Sequence, residues 1–335
     1  MRRQGGDEAA MKRTMNPTSR RALLVGGLGA GAAGLGVWLS GRSRRPEDTT
    51  PLLVKRDLRV RYDPGLPELA VTEGGEPAEL VRRAIQELGG MGRFVSRGDI
   101  VLVKPNIAWD RTPEQAANTN PEAVAEVVRL ALAAGARKVL VTDVPVNEAR
   151  AAFERSGIRS AALSAGAEVV LPEAGRFREV DLGGEVLGAW PVLEPFLDAD
   201  KVINLPVAKH HGLTGATLGI KNWYGMLGGL RMRLHQGIHE GLADLAAFLR
   251  PTLTVLDAYR VLIRNGPSGG STADVELRKM VIAGTDPVAV DAYAARAFWG
   301  LNESTLRYLE LAAGRGLGQL HLADSHQVHR FLTLR

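Results

Sequence analysis

The sequence predicts an α/β fold, a mostly parallel, doubly wound sheet with flanking helices. Three observations carry that reading. Short continuous apolar runs, DIVLVK at residues 99–104 and KVLVT at 138–142, have the length and content of strands buried on both faces. Segments of helical period alternate with these runs, the pattern of a parallel sheet. Asn120-Pro121 and Asp286-Pro287 each place a side-chain acceptor ahead of a proline at the first helical position, a helix-start signal.

The elements follow in order. Residues 57–75, with Pro64 and Pro67, read as an irregular approach. A helix over 77–88 is stopped by Gly89-Gly90. The strand at 99–104 ends in Pro105-Asn106, and the helix opened by Pro121 ends near Gly135. Strand 138–142 delivers Asp143 at its carboxyl end; helix 147–156 and strand 168–171 come next. Strand 201–207 (KVINLPV) leads into a glycine-rich stretch. Helix 241–249, strand 253–256 ending in Asp257, strand 279–283, helix 288–299 and a last helix over 302–313 complete the chain. No internal repeat is visible.

With 335 residues, 45% hydrophobic and 24% charged, the chain can bury a large core. The formal charge of +5 is unevenly spread: residues 1–56 carry eleven Lys/Arg against four Asp/Glu, and the remaining 31 basic and 33 acidic residues give −2. Aromatic residues make up 5% and do not interleave with a basic patch, so nucleic acid is not an expected partner. The absence of cysteine excludes disulfides, thiolate zinc, a cysteine nucleophile and a cysteine-ligated iron–sulfur cluster in this chain. It also suits an oxidising compartment.

Ser19-Arg20-Arg21-Ala22-Leu23-Leu24 precedes an uncharged, glycine-rich segment, residues 22–41. A twin arginine ahead of a weakly hydrophobic core reads as a Tat signal, so the expected first partner is the Tat export machinery, which moves folded proteins. The expected location is periplasmic or extracytoplasmic, with the protein either released or anchored to the cytoplasmic membrane through this segment. Residues 1–41 are thus a leader, 42–56 a linker, and 57–335 a single α/β domain. The Gly29-Ala30-Gly31-Ala32-Ala33-Gly34 run matches a dinucleotide fingerprint by letter, but it lacks the strand and helix that make such a loop work.

Chemistry is expected first at residues 209–229, KHHGLTGATLGIKNWYGMLGG. Such a glycine-rich stretch is expected to bury little apolar surface and to bring amides and cations to a small anion. Lys209, His211, Lys221 and Asn222 belong to it. Lys104, Asn106, Asp143 and Asp257 lie at other strand carboxyl ends, where ligands of open α/β sheets bind. Asp257 and Asp291 are the expected acid–base pair, because a carboxylate on an apolar helix face needs a partner. His235 and His239, spaced i,i+4, could join His211 around a metal if they shared a helix, although Gly237 between them weakens that helix. Asp286 has a simpler role as helix cap, and His321, His326 and His329 read as surface or tail residues.

These landmarks resemble the family called domain of unknown function 362. They are VKPNI (103–107), the Thr119-Asn120-Pro121 start, AGARKVLVTD (134–143), VINLPVAKHHG (202–212) and TLGIKNWYGMLG (217–228). TVLDA (254–258), NGP (265–267) and AGTDPVAVDAYAAR (283–296) follow in order. The alternation of strands and helices already reads as a Rossmann-like sheet, and the resemblance places the family's Lys-x-His-Gly pattern on Lys209, His211 and Gly212, its Lys-Asn pair on Lys221 and Asn222, and its Asp-Pro-x-x-x-Asp on Asp286 and Asp291. It implies no established reaction or cofactor. Two functions therefore stand open: an exported enzyme acting on a small anionic molecule, or a non-catalytic protein that carries or assembles a cofactor or metal.

Overall fold

A computed structural model describes residues 55–302 and 305–332. The expected Tat leader, residues 1–41, and residues 42–54 of the expected linker lie outside the described residues.

In chain order the structure forms β1 (Leu69–Glu73), α1 (Pro77–Glu87), β2 (Ile100–Pro105), α2 (Pro121–Ala133) and β3 (Lys138–Val141). Next come α3 (Ala149–Arg155), α4 (Ile158–Ser164), β4 (Glu168–Val169), β5 (Phe177–Asp181) and β6 (Ala189–Leu193). Then follow β7 (Lys201–Leu205), β8 (Val207–His211), β9 (Gly215–Thr217) and α5 (Ile238–Phe248). Strands β10 (Leu253–Leu262) and β11 (Val275–Gly284) precede α6 (Pro287–Trp299), α7 (Arg307–Gly314) and β12 (Gln327–Phe331).

The central sheet runs β12-β1-β11-β10-β7-β2-β3-β4, with β8 joined to β10 and β9 to β8. Pairing is parallel from β10 through β4, and antiparallel only around β11 and in the β8–β9 pair. The predicted mostly parallel α/β fold is therefore what forms.

Alternation within each strand explains the helical layers. Ala70, Val101, Val103, Ile203 and Val255 pack on one face with Leu80, Ile85, Val124 and Val128 of α1 and α2. Leu69, Val71, Leu256 and Ile282 pack on the other face with residues of α5, α6 and α7. Side chains of a strand point alternately to opposite faces, so a sheet covered on both sides reads as the unbroken apolar runs noted above. Both cap predictions hold. Asn120 Oδ1 accepts from Glu122 N at 2.9 Å, and Asp286 Oδ1 accepts from Val288 N and Ala289 N at 2.9 Å each.

Several elements differ from expectation. The irregular approach contains β1, which pairs with β11 on one side and β12 on the other. His329, expected as a surface or tail residue, is exposed but lies within β12. Residues 177–193 form the β5–β6 hairpin. A five-residue LAVTE run carries little local signal, and its strand conformation comes from partners more than 200 residues away in sequence. Residues 209–229 also depart from the expected polar loop: Ala216, Leu218, Ile220, Met226 and Leu227 are fully buried, and Trp223 is nearly so. Among the described residues no helix is long and apolar enough to cross a membrane.

Candidate functional site

The polar residues gather where β2, β3, β7 and β8 reach their carboxyl ends. Register puts Lys104 of β2 opposite Asn204 of β7. Each would interrupt an apolar strand for no packing reason, and each is fully buried. Lys104 Nζ spends its three protons on Asp143 Oδ1 at 2.8 Å, Asn222 Oδ1 at 2.7 Å and Pro105 O at 2.9 Å. Burial lowers the Lys104 pKa and the Asp143 charge opposes that shift. A buried ion pair is tolerated only when its remaining polar atoms are also bonded. That condition is met, since Asp143 Oδ2 accepts from Ile107 N at 2.6 Å and its Oδ1 from Val144 N at 2.9 Å.

Asn222 joins the strands. Its Oδ1 accepts from Lys104 and from Asn106 Nδ2 at 3.0 Å, and its Nδ2 donates to Lys104 O at 3.2 Å and Asn204 Oδ1 at 2.8 Å. Asn106 Oδ1 in turn accepts from Lys209 Nζ at 2.9 Å, whose second bond is to Ala117 O at 2.5 Å. Lys209 is 1% exposed, and burial, reinforced by Lys221, pushes its pKa well below the usual lysine range.

The turn from β9 into residues 221–226 is held by Asp291 on α6. Its two oxygens accept from Gly219 N at 2.7 Å and Ile220 N at 2.9 Å. A Cβ on Gly219 would stand 2.8 Å from Asp291 Oδ1, and one on Gly225 would stand 1.7 Å from Asp143 Oδ1 and 2.7 Å from Lys104 Nζ. Glycine at these positions admits the close approach of backbone to charged side chain. That is a different use from the flexible anion loop expected from the sequence.

Lys221 and His211 are placed otherwise. Among the described residues, no hydrogen bond or ion pair holds Lys221 Nζ, which lies 4.8 Å from the Tyr224 ring centroid. Lys221 is 9% exposed, and burial lowers its pKa to about 8. His211 Nδ1 accepts from Leu213 N at 3.2 Å. Burial first, then the nearby Lys221 and Lys209 charges, take the imidazole pKa to about 3, so the ring is neutral at physiological pH.

Sequence reasoning missed two contributors. Asn204, the one polar interior residue of KVINLPV, was the available signal. Arg231 donates to Val144 O at 2.8 Å, Tyr224 O at 3.3 Å and Pro145 O at 2.5 Å, three backbone carbonyls and no carboxylate. Little in the sequence marks it, because two of its three partners, Val144 and Pro145, lie just past β3 and more than 80 residues away.

The structure thus brings together Lys104, Asn106, Asp143, Lys209, Lys221, Asn222 and His211. It does not bring Asp257 and Asp291 together as an acid–base pair. Asp257 accepts from Asn120 N at 2.7 Å and Tyr259 N at 3.0 Å, while Asp291 holds the Gly219–Ile220 amides. Burial raises both, Asp257 to about 6 and Asp291 to about 7. Both serve as backbone anchors, which accounts for a carboxylate on an apolar helix face.

The metal arrangement also differs from expectation. Gly237 is the N-cap of α5, so His235 lies in the preceding 3-10 turn and His239 in the helix. His239 stacks on Tyr308, with ring centroids 6.3 Å apart. Among the described residues no group of three His, Asp or Glu side chains is placed to hold a metal ion.

Two of the proteins that this chain resembles can be named. A thylakoid-associated protein of Synechocystis sp. is 29% identical over 251 residues, covering 69% of this chain and 77% of that protein. The lactate racemase apoprotein from Thermoanaerobacterium thermosaccharolyticum is 15% identical with a TM-score of 0.41, the match covering 74% of this chain and 61% of that one. At that distance the likeness carries no functional argument. Residues 101–296, more than half the chain and all of the clustered site, match the family described as domain of unknown function (DUF362), and the chain belongs to that family.

Proposed function

We propose that this protein binds a small anion, a carboxylate or a phosphate, at the carboxyl ends of β2, β3, β7 and β8. The observation that carries the reading is uncompensated positive charge. Among the described residues Lys104, Lys209 and Arg231 lie near a single carboxylate, Asp143, and Lys221 lies near Lys209 with no carboxylate of its own. Buried cations without anions are unfavourable, and a bound anion relieves the imbalance. Lys221 is the group left to meet it, with the neutral His211 nearby, its Nδ1 taken by Leu213 N and its Nε2–H able to donate. Lys104, Asn106, Asn222 and Lys209 form the scaffold and supply field.

Calorimetric titration with oxalate and with inorganic phosphate tests this. One of the two should bind, and Lys221→Met should abolish that binding while the chain remains folded. Absence of binding by either anion would sink the proposal.

Export is the second part of the proposal. The twin arginine at Arg20-Arg21 and the uncharged segment behind it support Tat-dependent passage to an extracytoplasmic location. Fusing residues 1–56 to a folded reporter measures it. Export that survives Arg20→Lys with Arg21→Lys would argue against a Tat route.

A further inference from the structure

The chain contains eight lysines and 34 arginines. Where it needs a surface cation it almost always uses arginine, yet three of its eight lysines are buried in one cluster. Arginine binds anions at least as well as lysine, through a planar fork that stays protonated. Lysine offers something arginine lacks, an amine that loses its proton on burial and becomes a nucleophile.

The three buried lysines are not equivalent. Lys104 is locked into its ion pair with Asp143, all three protons bonded. Lys209, at 1% exposure, is tied to Asn106 Oδ1 and Ala117 O and has no opening to a ligand. Lys221 has no polar partner among the described residues, rests against an aromatic face and keeps a small exposed fraction. Asp291, gripping the two amides just before it, fixes where its backbone sits.

We propose that Lys221 is a covalent amine nucleophile that forms an imine with the carbonyl carbon of a small anionic aldehyde or ketone. This rests on the anion-binding reading above and names the substrate class for the same site. The Nζ lone pair forms a C–N bond as the carbonyl π bond opens onto oxygen. One amine proton passes from the nitrogen to that oxygen, to which the His211 Nε2–H can donate a hydrogen bond, its Nδ1 being taken by Leu213 N. The resulting carbinolamine loses its hydroxyl and the second amine proton as water, leaving C=N. No oxidant, reductant or metal enters the balance. The lowered basicity of Lys221 supports the step, because an amine near pKa 8 is about one-tenth unprotonated at neutral pH, whereas an ordinary lysine is almost wholly protonated.

The experiment is reductive trapping of the folded chain with glyoxylate and cyanoborohydride at neutral pH, read by peptide mass spectrometry, beside oxalate calorimetry. Carboxymethylation should concentrate at Lys221 by roughly tenfold or more over the exposed Lys55 and Lys138, be suppressed by oxalate and vanish in Lys221→Arg. Trapping should rise with pH between 6 and about 8, as Lys221 loses its proton. Oxalate binding with labelling spread over exposed lysines, or falling on Lys209, would overturn the nucleophile while leaving the anion site intact. Failure of both oxalate and phosphate to bind, with no saturable trapping, would overturn both. A thermal melt of Lys221→Arg separates loss of the amine from loss of the fold.

Discussion

The two halves of the polar cluster are built by opposite rules. Around Lys104, Asp143, Asn106 and Asn222, the buried donors and acceptors are matched across β2, β3, β7 and residues 221–226. Around Lys221 and His211, buried basic groups stand without acidic partners among the described residues. A satisfied network rigidifies a fold, and an unsatisfied one is costly unless something outside the chain completes it. The first half is framework, and the second is where the protein has spent stability.

One substitution made at both lysines exposes that difference most sharply. Lys104→Met should destabilise by ~3–5 kcal/mol in denaturant melts, because it strands Asp143 as a buried lone charge. Lys221→Met should instead stabilise, by order 1–3 kcal/mol, since it removes an amine that burial disfavours and no anion compensates. If both changes destabilise equally, Lys221 has a partner within the fold and the contrast collapses.

Gly225→Ala tests whether the framework depends on close approach. The added methyl would fall on Asp143 Oδ1, so a loss of about 1–3 kcal/mol and a disturbed Lys104–Asp143 pair are expected. A wild-type melt would show that residues 221–226 can shift freely.

The pH dependence distinguishes the two halves without relying on a cavity. His211 titrates near 3 when folded and near 6.5 when unfolded, so between those values the unfolded chain binds more protons. Its contribution therefore rises with pH across that window and is flat above 6.5. His211→Gln should remove that part of the slope. Asp257 and Asp291, raised to about 6 and about 7, contribute with the opposite sign: they favour the fold below about pH 4 and lose that advantage as pH rises through 6 to 7. Lys221 adds stability only as pH climbs from about 8 towards 10.5, and Lys221→Met should abolish that segment.

The smallest effect belongs to the surface. Lys138 and Glu168 form an ion pair at 2.6 Å with both side chains about half exposed. Lys138→Ala should change stability by less than ~1 kcal/mol and leave anion binding untouched.

Much of the fold was legible in the chain. Buried parallel strands write themselves as unbroken apolar runs, and Asn-Pro and Asp-Pro helix starts are local chemistry, so β2, β3, β7, α2 and α6 were all anticipated. β1, between β12 and β11, and β12, at the sheet's edge, were not, because such short strands gain their conformation from their neighbours. The candidate site was legible as a set of residue types at strand ends, VKPN, TD and KHH. Its internal division was not.

The sequence by itself determined which residues are polar, where the strands end and that no cysteine chemistry is available. Those properties depend on composition and on neighbours a few residues apart. Only the tertiary structure decided the roles. It turned Asp257 and Asp291 from an acid–base pair into two separate backbone anchors, made Gly225 a spacer and separated His235 from His239 at a helix start. It also left Lys221, among the described residues, with an aromatic ring and no polar partner while giving Lys104 three. Whether a buried charge is compensated depends on groups brought from far along the chain, as Asp143 and Asn222 are to Lys104. Distance along the chain does not encode that contact, and packing does.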